Sequence, residues 1–116
     1  MEPGPSIFLE ITDERETYTR EYYLSRDLEI GGHAYGIHID SPHVSNVHGK
    51  IFLRGGHVIY QGNPRCETYL GRLGGFTTIG TNPVQLGVRD VLQVRFSGKV
   101  VLSITVKGFK QMRKAV

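Results

Sequence analysis

Residues 91–106 read Val91-Leu92-Gln93-Val94-Arg95-Phe96-Ser97-Gly98-Lys99-Val100-Val101-Leu102-Ser103-Ile104-Thr105-Val106. In the first half Leu92, Val94 and Phe96 alternate with Gln93 and Arg95; in the second Val100, Leu102, Ile104 and Val106 share one parity, with Ser103 and Thr105 on the other. Successive side chains of a strand point to opposite faces, so each half reads as a strand buried on one side. Ser97-Gly98 between them suits a tight turn with positive backbone angles. The stretch is a β-hairpin with one apolar face, and such a face must be covered by another layer.

The same pattern extends outward. Ile7, Leu9 and Ile11 form a further alternating strand, and shorter candidates rich in Val, Ile, Tyr, Phe and Thr fall at Thr17–Leu24, Leu28–Gly31, Ile37–Ile39, Gly49–Leu53, His57–Tyr60, Thr68–Leu70, Phe76–Ile79 and Val84–Leu86. Arg54-Gly55-Gly56-His57 sets two glycines between two of these candidates, the signature of a two-residue hairpin turn. No segment has the periodicity of a long helix. About eleven short strands separated by regular turn signals predict an all-β sandwich or barrel.

The chain has 116 residues, the size of one domain with one core. The alternation ends at Val106, so a domain over 1–107 is expected, followed at 108–116 by a basic tail or linker carrying Lys110, Arg113 and Lys114. Apolar runs are only a few residues long, far short of the roughly 20 that cross a bilayer, and the acidic, Pro-containing start lacks the character of a signal peptide. Cys66 is the one cysteine, which rules out an internal disulfide and a thiolate-based structural zinc site. A cytoplasmic domain without membrane contact of its own is expected. The formal charge of +3 is too small to call for nucleic acid.

The central stretch identifies a family resemblance. Leu28-Glu29-Ile30-Gly31-Gly32 is followed by Ile37-His38-Ile39-Asp40-Ser41-Pro42-His43-Val44-Ser45-Asn46-Val47-His48-Gly49-Lys50-Ile51. A glycine after a strand, alternating aliphatics, a Pro-containing turn and Ser-x-x-His leading into a strand resemble the core signature of forkhead-associated (FHA) domains. Glu67-Thr68-Tyr69-Leu70-Gly71 resembles the end of that family's Asn-Gly-Thr loop, and Leu86-Gly87-Val88-Arg89-Asp90 its Leu-x-x-Gly-Asp segment. The resemblance spans roughly 7–106 and implies an FHA-type β-sandwich whose loops at one end bind phosphothreonine peptides.

Carried over residue by residue, the resemblance implies that Ser45 gives a hydroxyl to phosphate, that His48 braces the loops, that Gly31 with it is structural support for the loops and that Thr68 fixes the later loop. The departures are as informative. Gly32 stands where the family has the arginine that grips phosphate, Asn46 where many members have a second basic residue, and Cys66-Glu67 where the Asn-Gly pair is expected. A glycine offers neither charge nor a fork of donors. His33, Arg65 or Arg72 are candidate replacements, so the expected binding set is His33, Ser45, Asn46, Arg65 and Thr68.

Two functions follow from this resemblance. The first is a non-catalytic module that binds a protein partner with lost or weakened dependence on phosphate, as in FHA-like domains of bacterial secretion assemblies, where a membrane segment follows in a longer parent chain. The second is an orthodox phosphothreonine-peptide binder. Catalysis is not expected: no nucleophile elbow surrounds Ser45, and Cys66 lies beside Glu67, an acidic neighbour that disfavours a thiolate. No cofactor motif is present, and the five-residue spacing of His33, His38, His43 and His48 throws alternate side chains to opposite faces, against a metal site.

Overall fold

The computed structural model describes residues 4–33 and 36–112; Arg113 and Lys114 of the expected basic tail lie outside them. The strands are β1 (Ser6–Thr12), β2 (Thr17–Tyr23), β3 (Leu28–Gly31), β4 (Gly36–His38), β5 (Gly49–Arg54), β6 (His57–Gly62), β7 (Thr68–Arg72), β8 (Gly75–Ile79), β9 (Val84–Gln85), β10 (Val91–Phe96) and β11 (Lys99–Lys110). They form two sheets, β2-β1-β11-β10-β7-β8 and β4-β3-β5-β6-β9, packed as a sandwich. Only β3 and β4 pair in parallel among the ladders described.

Alternation puts Ile7, Leu9 and Ile11 of β1 wholly inside, facing Ile30, Ile37, Ile51 and Tyr60 from the other sheet within one hydrophobic cluster. A fully buried aliphatic or aromatic side chain contributes roughly 1.5–3 kcal/mol. By that measure β11 anchors the larger sheet, with Val101, Leu102, Ile104 and Val106 all buried between β1 and β10. Tyr60 ties the layers together: its ring lies against Gly49, where a Cβ would come within 2.3 Å of the hydroxyl. That hydroxyl bonds Thr68 Oγ1 across the sheets at 2.8 Å, and burial pushes its pKa up to about 12.

Both expected hairpin turns form. Gly55 and Gly56 have φ of 58° and 80°, and Ser97 and Gly98 have 51° and 76°, the paired positive angles that match the twist of the flanking strands. Two expectations need correction. Val100 and Phe96 were expected inside, yet they are 42% and 52% exposed. The register slips between Val94 and Arg95, leaving Val101 as an extra residue on β11; Val100 then turns outward beside Arg95 while Val101 is buried. A bulge reverses the parity of the strand that carries it; Phe96, on the unbulged β10, is exposed instead because it is the last residue before the turn, at the rim. A second slip, at Lys107, ends the visible alternation at Val106, but β11 continues to Lys110 with Phe109 opposite Ile7 and packed on the core. The ordered strand therefore runs past Gly108, where a tail was expected to begin.

Candidate functional site

β7 runs antiparallel to β10, and β11 returns antiparallel to both β10 and β1. The β1–β2, β4–β5, β6–β7 and β10–β11 connections consequently meet at one end of the sandwich, with the β3–β4 loop beside them. Contacts confirm the meeting: Ser41 Oγ donates to Glu14 Oε1 at 3.0 Å, Arg15 pairs with Asp40 at 3.3 Å, and the His43 ring stacks on Phe96 with centroids 3.9 Å apart.

Main-chain bonds lock these loops. Gly32 N–H donates to Ser45 O (3.0 Å), His33 N–H to Asn46 O (3.1 Å) and His48 N–H to Ile30 O (2.7 Å). Asn63 N–H donates to His48 O (3.0 Å), and the Asn63 side-chain amide donates to Val47 O (3.0 Å). Gly31 makes this closeness possible: a Cβ there would lie 2.3 Å from Asn46 O and 2.5 Å from Ser45 O. Its role is thus to let the β4–β5 loop lie directly on the end of β3.

His48 is 5% exposed and its Nε2 lies 3.2 Å from Glu67 O. A carbonyl can only accept, so Nε2 carries the proton and Nδ1 is left as a buried acceptor without a partner among the described residues. Burial lowers the His48 pKa below 6.5, against the smaller opposing effect of the bond to Glu67. A neutral imidazole thus links the β4–β5 and β6–β7 loops.

The expected binding residues separate into two groups. Ser45, Asn46, His33 and Arg65 are exposed at the loop end. Asn46 Oδ1 lies about 3.4 Å from where a Gly32 side chain would start, so it covers the place of the missing arginine. Arg65 is held by its main chain alone, its N–H donating to Asn63 Oδ1 at 3.1 Å. Thr68, in contrast, is 2% exposed and spends its hydroxyl on Tyr60, so it supports the loop from within and presents nothing to a partner. Arg72 is also corrected: it lies at the far end of β7, in a two-pronged pair with Asp90 (2.9 and 2.8 Å), and cannot reach Ser45.

Cys66 is the residue that sequence reasoning undervalued. Its thiol donates to Ser45 Oγ at 3.0 Å, occupying an acceptor position of the hydroxyl while leaving the hydroxyl proton free to be given elsewhere. Only the equivalence of Cys66-Glu67 with the family's loop pair pointed here. Phe96 was read as core; its place as the last residue before a two-residue turn was the sign that it would sit at the rim.

No protein-family model matches the sequence, and no curated protein does. Solved structures match in fold. An FHA domain of an Arabidopsis thaliana hypothetical protein superposes with TM-score 0.70 and 23% identity over 90% of this chain and 86% of that one. An engineered FHA domain with a Myc-pTBD peptide gives 0.66 and 17% over 87% and 91%, and FHA-1 of Mycobacterium tuberculosis Rv1747 gives 0.58 and 15% over 89% and 99%. The fold is the FHA β-sandwich.

Proposed function

We propose that this FHA-type sandwich is a non-catalytic interaction module that binds a protein partner through its loop end, with phosphate recognition lost or much weakened. The observation that carries the proposal is the surface around Ser45. Gly32 and Asn46 replace the charged grip there, and the one arginine or lysine in the same loops is Arg65, two residues from Glu67. A charge-assisted hydrogen bond is worth on the order of 1.5–3 kcal/mol, so the loss of one weakens binding roughly tenfold or more. What remains is a rigid set of loops offering hydroxyl, amide and main-chain groups, suited to a peptide's polar backbone.

One observation favours phosphothreonine binding as a second reading: the Ser45 hydroxyl is exposed and retains a proton to donate, with Arg65 and Cys66 in the facing loop. Calorimetric titration with a degenerate phosphothreonine peptide pool and its unphosphorylated twin separates the two. The first reading expects equal binding by both pools, unchanged by Ser45→Ala. A gain of tenfold or more on phosphorylation, abolished by Ser45→Ala, would replace it by the second. Silence from both pools would shift the first reading to a folded partner, such as a component of a larger cytoplasmic or secretion assembly.

A further inference from the structure

The strands at the sheet edges are protected to very different degrees. β4 and β9 have three and two residues, too short to recruit another strand, and β2 carries Arg20 and Glu21. β8 has no such guard. From Leu73 to Val88 the sequence contains no charged residue, Gly75 to Thr78 are all exposed, and Leu73 at the tip of the β7–β8 turn is fully exposed.

The direction of its free main-chain groups follows from the turn. Leu73 and Gly74 (φ 46° and 82°) form a two-residue hairpin turn, which makes Arg72 and Gly75 a hydrogen-bonded pair. By alternation Leu70–Thr77 and Thr68–Ile79 are the next such pairs. The N–H and C=O groups of Phe76 and Thr78 therefore point away from β7, into solvent.

We infer that β8 is a self-association edge, on which a second copy of this chain pairs antiparallel about a two-fold axis at Thr77. This register sets Phe76 of one copy against Thr78 of the other, twice over, joining outward donors to outward acceptors. An axis between two residues would set outward groups against groups already bonded within the sheet. The same symmetry brings Leu73 of each copy level with Thr81 of the other, next to a groove of about 350 Å³ whose lining includes Arg65, Cys66, Glu67, Thr78, Ile79 and Gly80. An exposed apolar tip and an open groove thus meet in both directions, as an isologous contact requires. Charge distinguishes this edge from β2, where the equivalent axis at the central residue would oppose Arg20 to its own copy. On the outer face Phe76, already stacked under Arg95 at 5.0 Å, gains a β-branched neighbour across the new strand pair.

Sedimentation equilibrium over a range of concentrations tests the edge. A reversible dimer with a dissociation constant on the order of 100 µM is expected, in the weak class that a short strand pair makes. Thr77→Glu and Thr77→Lys should each shift that constant tenfold or more toward monomer by opposing like charges at the axis, and an equimolar mixture of the two proteins should restore a heterodimer at low salt. Amide exchange in the unaltered protein gives a second readout: dilution should expose the amides of Phe76 and Thr78 while that of Thr77 stays protected. A monomer up to about 1 mM overturns the inference and leaves the edge to a foreign strand. So does a dimer that tolerates both substitutions or shows no concentration-dependent protection at Phe76 and Thr78.

Discussion

The two ends of the sandwich differ in what their polar side chains are left to do. At the loop end the main chain does much of the fastening, with Gly32, His33, His48 and Asn63 each giving an N–H to a carbonyl of a neighbouring segment, and the side chains of Ser41, His48 and Asn63 add to it. Ser45, Asn46 and Arg65 keep their side chains in solvent as a result. At the opposite end one buried carboxylate is the centre of the fastening, beside main-chain bonds such as Asp90 N–H to Gly87 O. Asp90, 7% exposed, accepts two bonds from Arg72 and a third from Gly87 N–H at 2.7 Å, and this holds the connection into β10. Polar side chains that are spent on structure cannot be offered to a partner, and at the loop end Ser45, Asn46 and Arg65 are polar side chains left exposed.

The comparison breaks most sharply at Gly31. Gly31→Ala places a Cβ against two carbonyl oxygens of the β4–β5 loop; the expected cost is about 3 kcal/mol or more, read as a fall in the urea midpoint, with loss of any partner binding. Asp90→Ala is expected to cost about 2–4 kcal/mol, since it strands Gly87 N–H and half-exposed Arg72 together. Affinity at the loop end should survive it in the folded fraction. If binding fell with Asp90→Ala as steeply as with Gly31→Ala, the two ends would not be independent.

His48 sharpens the contrast through pH. Its folded pKa is lowered, so the unfolded chain takes up a proton at a higher pH than the native one. Its effect on stability is absent above about pH 6.5 and grows as a penalty while the pH falls from there through the lowered value. Denaturation midpoints at pH 7 and pH 5 should show the lower stability at pH 5, with part of the difference abolished by His48→Gln. The smallest effect on stability belongs to Ser45→Ala, within about 0.5 kcal/mol because the side chain is exposed, whatever it does to binding. A larger loss would mean that the contact with Cys66 is structural.

Much of this architecture was legible from residue order because it rests on local rules. Two glycines at 55 and 56 make a two-residue turn wherever they stand between strands, and Ile7, Leu9 and Ile11 can share a face only if the chain is extended. The errors came where a local rule is blind. Val100 and Val101 are both apolar, so nothing in their order shows which one the bulge buries; the partner strand decides, through the slip between Val94 and Arg95. Arg72 looked like a loop cation because it follows the loop closely in sequence, yet four steps along β7 carry it about 13 Å away, to the other end.

The loop site was legible in part for the same reason. Ser45 and His48 lie in one short segment, and their surroundings could be judged from their neighbours in sequence. The thiol of Cys66 reaches Ser45 from 21 residues away, and the hydroxyl of Thr68 turns inward to Tyr60, eight residues back in the other sheet. By itself the order of residues determined the strands, the tight turns and the absence of a charged grip at Gly32, since periodicity, backbone freedom and side-chain charge are properties of single residues and their nearest neighbours. Tertiary structure alone decided which end each cation occupies, which of two adjacent valines is buried and which hydroxyls remain free, because those outcomes depend on how distant strands pair and which groups the pairing leaves without a partner.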